Sequence, residues 1–402
     1  MTLKLKNPHI IEASYTIVTP MFIGDAEQKA TGISPASVKG ALRFWWRALN
    51  WGRIYNNKNN DLKDALKELH EQEALLFGSS AYESTDKQRK KDKKPAIGAS
   101  KFVLQLSTEK IKQSTLNGPS EGIKYLLGQG LYNFRDGVLR NSIEKGELHL
   151  KCIFNTHQSA TQIKQLEEAM LLLGLLGGLG SRARKGFGSL SIQSINSKNY
   201  NAPTTKNEFK MLLREWSQGV TEPPFTAFSK DTKIDISLSG KDALKLLNEA
   251  GQEQQMYRSW GREMGGEHKV SGLVAEQNFP ISHHLMQAVR EGKQPDRIPD
   301  KAVFGLPQNY FFSSTRKNVE FTLSEKKRAR RASPLLMHVH KFDSGESILI
   351  HLFLPARFLE DGANLEFKVD RKKKILKYKN TMTDWDVIHD YLDRFKQREV
   401  IV

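Results

Sequence analysis

The chain has 402 residues with 62 Lys plus Arg against 45 Asp plus Glu, a formal net charge of +17 that favours an acidic polymer as partner. Its longest apolar run, around Ala169 to Leu176, is too short to span a bilayer, which puts nucleic acid ahead of a membrane. A lone cysteine, Cys152, excludes an internal disulfide and a cysteine-built zinc site, and the polar start Met1 to His9 has no signal-peptide character, so cytoplasm is the expected compartment.

In chain order, His9 to Val18 reads as a strand, Pro35 to Asn50 as a helix, and Lys101 to Ser107 and Glu147 to Phe154 as strands with alternating apolar residues. Gln162 to Leu176 has helical spacing, and Ser189 to Ser194 alternates again. The order β-α-β-β-α-β is the split βαβ, or ferredoxin-like, arrangement used by many RNA-binding modules. Pro203, Pro223 and Pro224 surround one short helical patch, Lys206 to Trp216, so residues 201–224 read as a connector between domains over 1–200 and 225–402. In the second domain Thr232 to Leu238 reads as a strand, and Lys241 to Ala250, Gln252 to Arg262 and Ile281 to Glu291 as helices. Leu335 to Phe342 and Ser347 to Leu354 form a hairpin, and Trp385 to Gln397 closes as a helix. The expected class is α+β, with two ferredoxin-like domains.

The segment Leu176 to Leu190, LGGLGSRARKGFGSL, sets Gly178, Gly180 and Gly186 around Arg182, Arg184 and Lys185. Glycine allows positive φ and a close approach of ligand to main chain, and the three cations suit a polyanion. The loop runs from helix to strand, opposite to nucleotide-binding loops, and Lys185 precedes its glycine, so neither a P-loop nor GxGxxG is present.

Along Ser34 to Arg53, helical projection groups Val38, Leu42, Trp45 and Leu49 on one face and Lys39, Arg43, Trp46, Arg47 and Asn50 on another. Cations interleaved with an indole suit single-stranded RNA, the indole stacking on a base, or else an interface. Three charge runs stand apart, Lys87 to Lys94, Lys326 to Arg331 and Arg371 to Lys374, and the first, which lacks apolar periodicity and follows a polar stretch, reads chiefly as a solvated loop tip.

Thr19 to Leu49 with its FWWRA signature, Leu75 to Ser80, Ile123 to Leu131, the glycine loop, FGLP at Phe304 to Pro307 and RRASPLLMHVHKF at Arg330 to Phe342 together resemble the RAMP superfamily. Within it they resemble the first-subunit family of type III-B CRISPR (Cmr) effector complexes. That resemblance implies two ferredoxin-like domains and a subunit that is not itself a nuclease and needs no cofactor. It implies a capping place among other Cmr subunits, near the 3′ end of the CRISPR RNA and the 5′ part of the paired target RNA. RNA contact carries over to Lys39, Arg43, Arg182, Arg184 and Lys185, and less directly to Arg330 and Arg331.

Two catalytic alternatives stand beside this reading. Backbone members of the family cut target RNA with an aspartate after the first strand, and here that loop holds Asp25 and Glu27. If Ser344 and Gly345 make a two-residue turn, His338 falls opposite His351, and with His340 three imidazoles share one sheet face. His283 and His284, being adjacent on a helix, are expected to point apart.

Overall fold

The structure, a computed structural model, describes residues 8–25, 27, 29–79, 98–154, 159–216, 220, 223–324 and 330–402. The basic run Lys87 to Lys94 and residues 326–329 lie outside the described residues.

The first half contains β1 (Ile10–Ile17), α1 (Pro35–Asn57), α2 (Leu62–Phe77), β2 (Phe102–Ser114), α3 (Glu121–Leu127), β3 (Ser142–Phe154), α4 (Ala160–Leu175) and β4 (Leu190–Ile195). Its antiparallel sheet has the order β2-β3-β1-β4, the ferredoxin-like arrangement. Helix starts follow local chemistry. Ser34 caps α1 by accepting from the Ser37 N–H, with Pro35 in the first turn, and Ser159 and Gln162 form a capping box at α4. Residues 166–175 of α4 are all buried, an all-round burial that places this helix between two layers.

A connecting helix, α5 (Lys206–Arg214), leads to the second half: β5 (Lys233–Gly240), α6 (Ala243–Arg258), α7 (Pro280–Arg290), β6 (Gln308–Phe312), β7 (Lys317–Leu323), β8 (Leu335–Lys341), β9 (Ser347–Phe353), β10 (Asn364–Val369), β11 (Lys372–Lys377), α8 (Asp386–Leu392) and β12 (Glu399–Val400). The sheet β8-β9-β5-β12 repeats the strand order of the first. Two insertions, one between α6 and β8 and one after β9, combine into a further sheet, β6-β7-β10-β11. Its apolar face, with Val319, Phe321, Leu365 and Phe367, packs with Met286 and Val289 of α7. Sequence periodicity divides α6 into two helices, whereas the structure holds one. Gly251 within it packs backbone to backbone against Gly122 of α3, where Gly122 N–H donates to Asn248 Oδ1 at 3.0 Å.

The halves share a core. Ile234, Ile236, Ile348 and Ile350 join the cluster that holds Tyr15, Leu171 and Ile192, while Met337, Val339 and Leu349 face Leu247 and Tyr391 on the other side. β9 is therefore buried along its whole length. At the edge of this sheet, β8 offers unpaired N–H groups, and the first half satisfies them. Met337 N–H donates to Arg184 O (3.1 Å), Val339 N–H to Ser189 Oγ (3.1 Å) and Lys341 N–H to Ser191 Oγ (2.8 Å). The glycine loop thus lies on the seam.

Candidate nucleic-acid interface

The loop after α4 is built by main-chain contacts. Leu179 N–H donates to Gly188 O (3.0 Å), Ser181 N–H to Phe22 O (2.7 Å) and Gly188 N–H to Pro20 O (3.0 Å), while Thr19 Oγ donates to Gly186 O (2.6 Å). Gly180 has φ +89° and a Cβ there would lie 2.7 Å from Phe22 O; Gly186 has φ +80° and a Cβ there would lie 2.6 Å from Leu247 Cδ1. These glycines, with Gly178 against Gly188, serve close approach of the protein to itself, which corrects the expectation that they clear space for a ligand. Gly180 still lines an open recess of about 290 Å³ with Gly24, Asp25, Arg140 and Ser181.

The cations of the loop are held by acceptors from both halves. Arg182, exposed, donates through Nε to Leu127 O at 2.8 Å. Arg184 donates to Ser333 O at 2.8 Å, and its guanidinium lies 5.0 Å from the Phe44 ring of α1. Lys185 Nζ donates to Gln254 Oε1 of α6 at 2.8 Å. Burial lowers the pKa of all three, and cationic neighbours add to it. Arg330 acts on Arg182; Arg331 acts on Arg184, which falls to about 10; Arg258 and then Arg182 act on Lys185, which falls to about 7. Lys301, brought to about 7 by burial and Arg258, donates to Arg258 O at 2.9 Å. Arg331 donates to Arg357 O at 2.8 Å, and among the described residues its buried Nε has no partner. Seven cations from both halves therefore crowd along one seam, and Asp300 is the one carboxylate that eases the charge of Lys301.

Sequence reasoning missed Arg258 and Lys301. Lys301 stands three residues before Phe304 of FGLP, a usable signal, but Arg258 reaches that motif only through space, its guanidinium 4.5 Å from the Phe304 ring.

The basic face assigned to α1 is corrected more strongly. Trp46 is 1% exposed and packs edge-on against Phe77, so it presents no face to a base, and Asn50 is buried too. Arg47 bonds Glu73 at 3.2 Å, and Arg43 lies 3.5 Å from the same carboxylate while donating to Phe77 O and Gly78 O. These two arginines fasten α1 to α2. Lys39 is half-buried with its ammonium 5.6 Å from the Phe102 ring. The 16-residue amphipathic helix α2 covers the face that projection alone leaves open.

The histidine cluster does not form. Gly345 N–H donates to Phe342 O and Phe342 N–H to Glu346 O, both at 2.9 Å, with Gly345 at φ +87°. The turn thus has three residues rather than two. Register shifts by one residue, to His338↔Ile350 and Met337↔His351, and a one-residue shift moves His351 to the opposite face from His338 and His340. His351 bonds Ser237 Oγ (2.6 Å) and Tyr391 OH (3.2 Å), whereas His340 bonds Gly174 O (3.2 Å) on the other side. Burial lowers the pKa of His340 and His351 to about 3 and that of His338 well below its usual value, so all three are neutral core residues.

Asp25 is exposed and occupied with its own loop. It accepts from the N–H groups of Glu27 (2.9 Å) and Lys29 (3.0 Å) and from Thr31 Oγ (3.1 Å), and the Lys29 bond leads the causes that hold its carboxyl below the usual range. Among the described residues Glu109, Glu147 and His149 have metal-like spacing, but Lys110 already bonds Glu147 at 2.6 Å. No described helix is long and apolar enough to cross a membrane.

Comparison with known proteins bears on the family and the fold. A profile described as the RAMP superfamily matches residues 14–191. The CRISPR system Cmr subunit Cmr1-2 of Pyrococcus furiosus is 29% identical over 184 residues, 44% of this chain and 92% of its own. The crystal structure of apo Cmr1 from Pyrococcus furiosus has the same fold, with a TM-score of 0.52 at 16% identity over 98% of each chain. A chain of the type III-B Cmr-beta assembly bound to cognate target RNA aligns over 97% of this chain and 99% of its own, at 12% identity and a TM-score of 0.49.

Proposed function

We propose that this chain, whose residues 14–191 match the RAMP superfamily profile, serves as a non-catalytic, RNA-holding subunit of a type III-B CRISPR (Cmr) ribonucleoprotein. The observation that carries this reading is the seam of seven cations, Arg182, Arg184, Lys185, Arg258, Lys301, Arg330 and Arg331, left almost without carboxylates. Such a concentration of like charge is costly in a folded protein and is relieved by a polyanion. Backbone contact of this kind reads no sequence, so target choice stays with base pairing between guide and target. The CRISPR RNA, in its 3′ region, is the bound strand, the target RNA lies beside it, and other Cmr subunits complete the groove. Residues 1–200 and 225–402 act as its two RAMP domains, joined by 201–224, in the cytoplasm.

The non-catalytic part of the reading is supported by the fate of the two catalytic alternatives, since the imidazoles are core groups and Asp25 organises its own loop. Crosslinking with peptide mapping tests the whole reading, using the purified chain with guide-length single-stranded RNA whose integrity is followed on the same samples. Crosslinks at Arg182 to Lys185 and at Arg330 and Arg331 with intact RNA are expected. Cleaved RNA would overturn the non-catalytic role, and an absence of crosslinks would move the seam to protein docking.

A further inference from the structure

Trp260, two residues past the end of α6, differs from Trp45, Trp46, Trp51 and Trp216, which are buried, in being half-exposed. Its indole lies parallel to the imidazole of His283 on α7, with centroids 4.0 Å and planes 8° apart. His268 and His284 stand edge-on to it at 6.0 and 6.3 Å, so both adjacent histidines of α7 touch one indole rather than pointing apart. Among the described residues the indole N–H makes no hydrogen bond. His283 in turn approaches Phe312 (5.5 Å), which carries the Arg290 guanidinium 4.7 Å from its ring.

The chemistry around this stack is one-sided. Burial first, then His284, Lys301, His268 and Arg290, lower the pKa of His283 to about 4, so the ring is neutral and flat; the groups that act on it are basic, with Glu291 paired to Arg290 at 3.0 Å and Asp300 beside Lys301. Arg258 is two residues before Trp260, and its carbonyl holds Lys301, which places the stack at the end of the cationic seam. A neutral aromatic surface beside cations matches a nucleotide, with base on ring and phosphate on cation.

We propose that the Trp260–His283 stack is a platform for one unpaired nucleobase of the bound RNA, with Lys301 and Arg258 next to its phosphate. This rests on the RNA-holding reading above. Stacking of this kind tolerates any base, because every base has a π-face, and the free indole N–H adds a donor for a base acceptor.

The test compares binding of single-stranded oligoadenylate with binding of the same strand carrying abasic riboses, for the unaltered chain, Trp260→Ala and Trp260→Phe. Trp260→Ala is expected to weaken oligoadenylate binding about tenfold, in the range of one lost stacked base, with little effect on the abasic strand. Trp260→Phe should keep most of the affinity, which separates lost stacking from a damaged fold. An equal loss on both strands, or no loss on either, would overturn the platform while leaving the RNA-holding reading intact. Failure of the unaltered chain to bind either strand would remove that reading and the platform with it.

Discussion

Lys185 Nζ donates to Gln254 Oε1 at 2.8 Å, from the glycine loop of the first half to a helix of the second, 69 residues further along the chain. The bond places an ammonium where Arg258 and Arg182 also press, at the boundary between the two sheets. It makes the loop a joint between halves as well as a basic surface.

The two lysines of this seam give the stability a particular pH dependence. Lys185 and Lys301 stand at about 7 in the folded chain, against an ordinary value of about 10.5, so the folded chain releases these protons earlier than the unfolded one. Between pH 7 and about 10 the unfolded state binds more protons, so stability should rise with pH across that window and be flat in this respect below it. Above it Tyr257, whose pKa burial raises, ionises in the unfolded state first and reverses the trend. Chemical denaturation at stepped pH should show the rise, and Lys185→Met with Lys301→Met should flatten it; an unchanged slope would mean that the ammoniums are solvated.

On the acid side the sign is opposite. His340 and His351 have pKa values of about 3 in the folded state and take up protons near 6.5 when unfolded, so stability should fall as pH drops from about 6.5 towards 3. His340→Phe, which cannot be protonated and meets Phe209 and Phe342, should lower the midpoint of acid unfolding followed by circular dichroism. A midpoint that stays put would assign acid sensitivity to other groups.

Trp46→Ala should act on folding. Truncating an indole buried against Phe77 is expected to cost ~3–5 kcal/mol in urea unfolding, whereas RNA affinity per folded molecule should hold. A selective loss of RNA binding with stability preserved would restore Trp46 to the interface.

Arg182 and Arg330, the exposed members of the seam, should show a salt signature. Replacing both with alanine is expected to weaken binding across RNA sequences and to reduce the slope of log affinity against log salt by about 1.4, at ~0.7 per lost phosphate contact on a single strand. Arg43→Ala with Arg47→Ala serves as the contrast. These arginines hold Glu73, so the double variant should loosen α1 from α2 and leave the salt slope unaltered.

Where the chain's local pattern is strong, element and fold agree with it. Alternation in 102–107 and 147–154 and helical spacing in 162–175 depend on neighbouring residues, and they appear where expected. The inserted sheet β6-β7-β10-β11 was not legible, because its strands come from two separated insertions and bury their apolar face only against each other and α7. The His338 register failed for a local reason with a long reach. One glycine, Gly345, in the left-handed region lengthens a turn by one residue and turns His351 to the far side of the sheet.

By itself the sequence determined the basic excess, the β-α-β-β-α-β order and the cation-bearing glycine loop, since charge, periodicity and turn chemistry are carried by residues close together in the chain. Only the tertiary structure decided which cations meet carboxylates of the protein and which lie beside carbonyls and other cations. Arg43 and Arg182 look alike in sequence, yet a carboxylate from α2 meets the first, while the second meets a carbonyl and other cations. The reason is that a charge's electrostatic surroundings are set by whatever the fold brings within a few ångströms, and those groups come from distant parts of the chain.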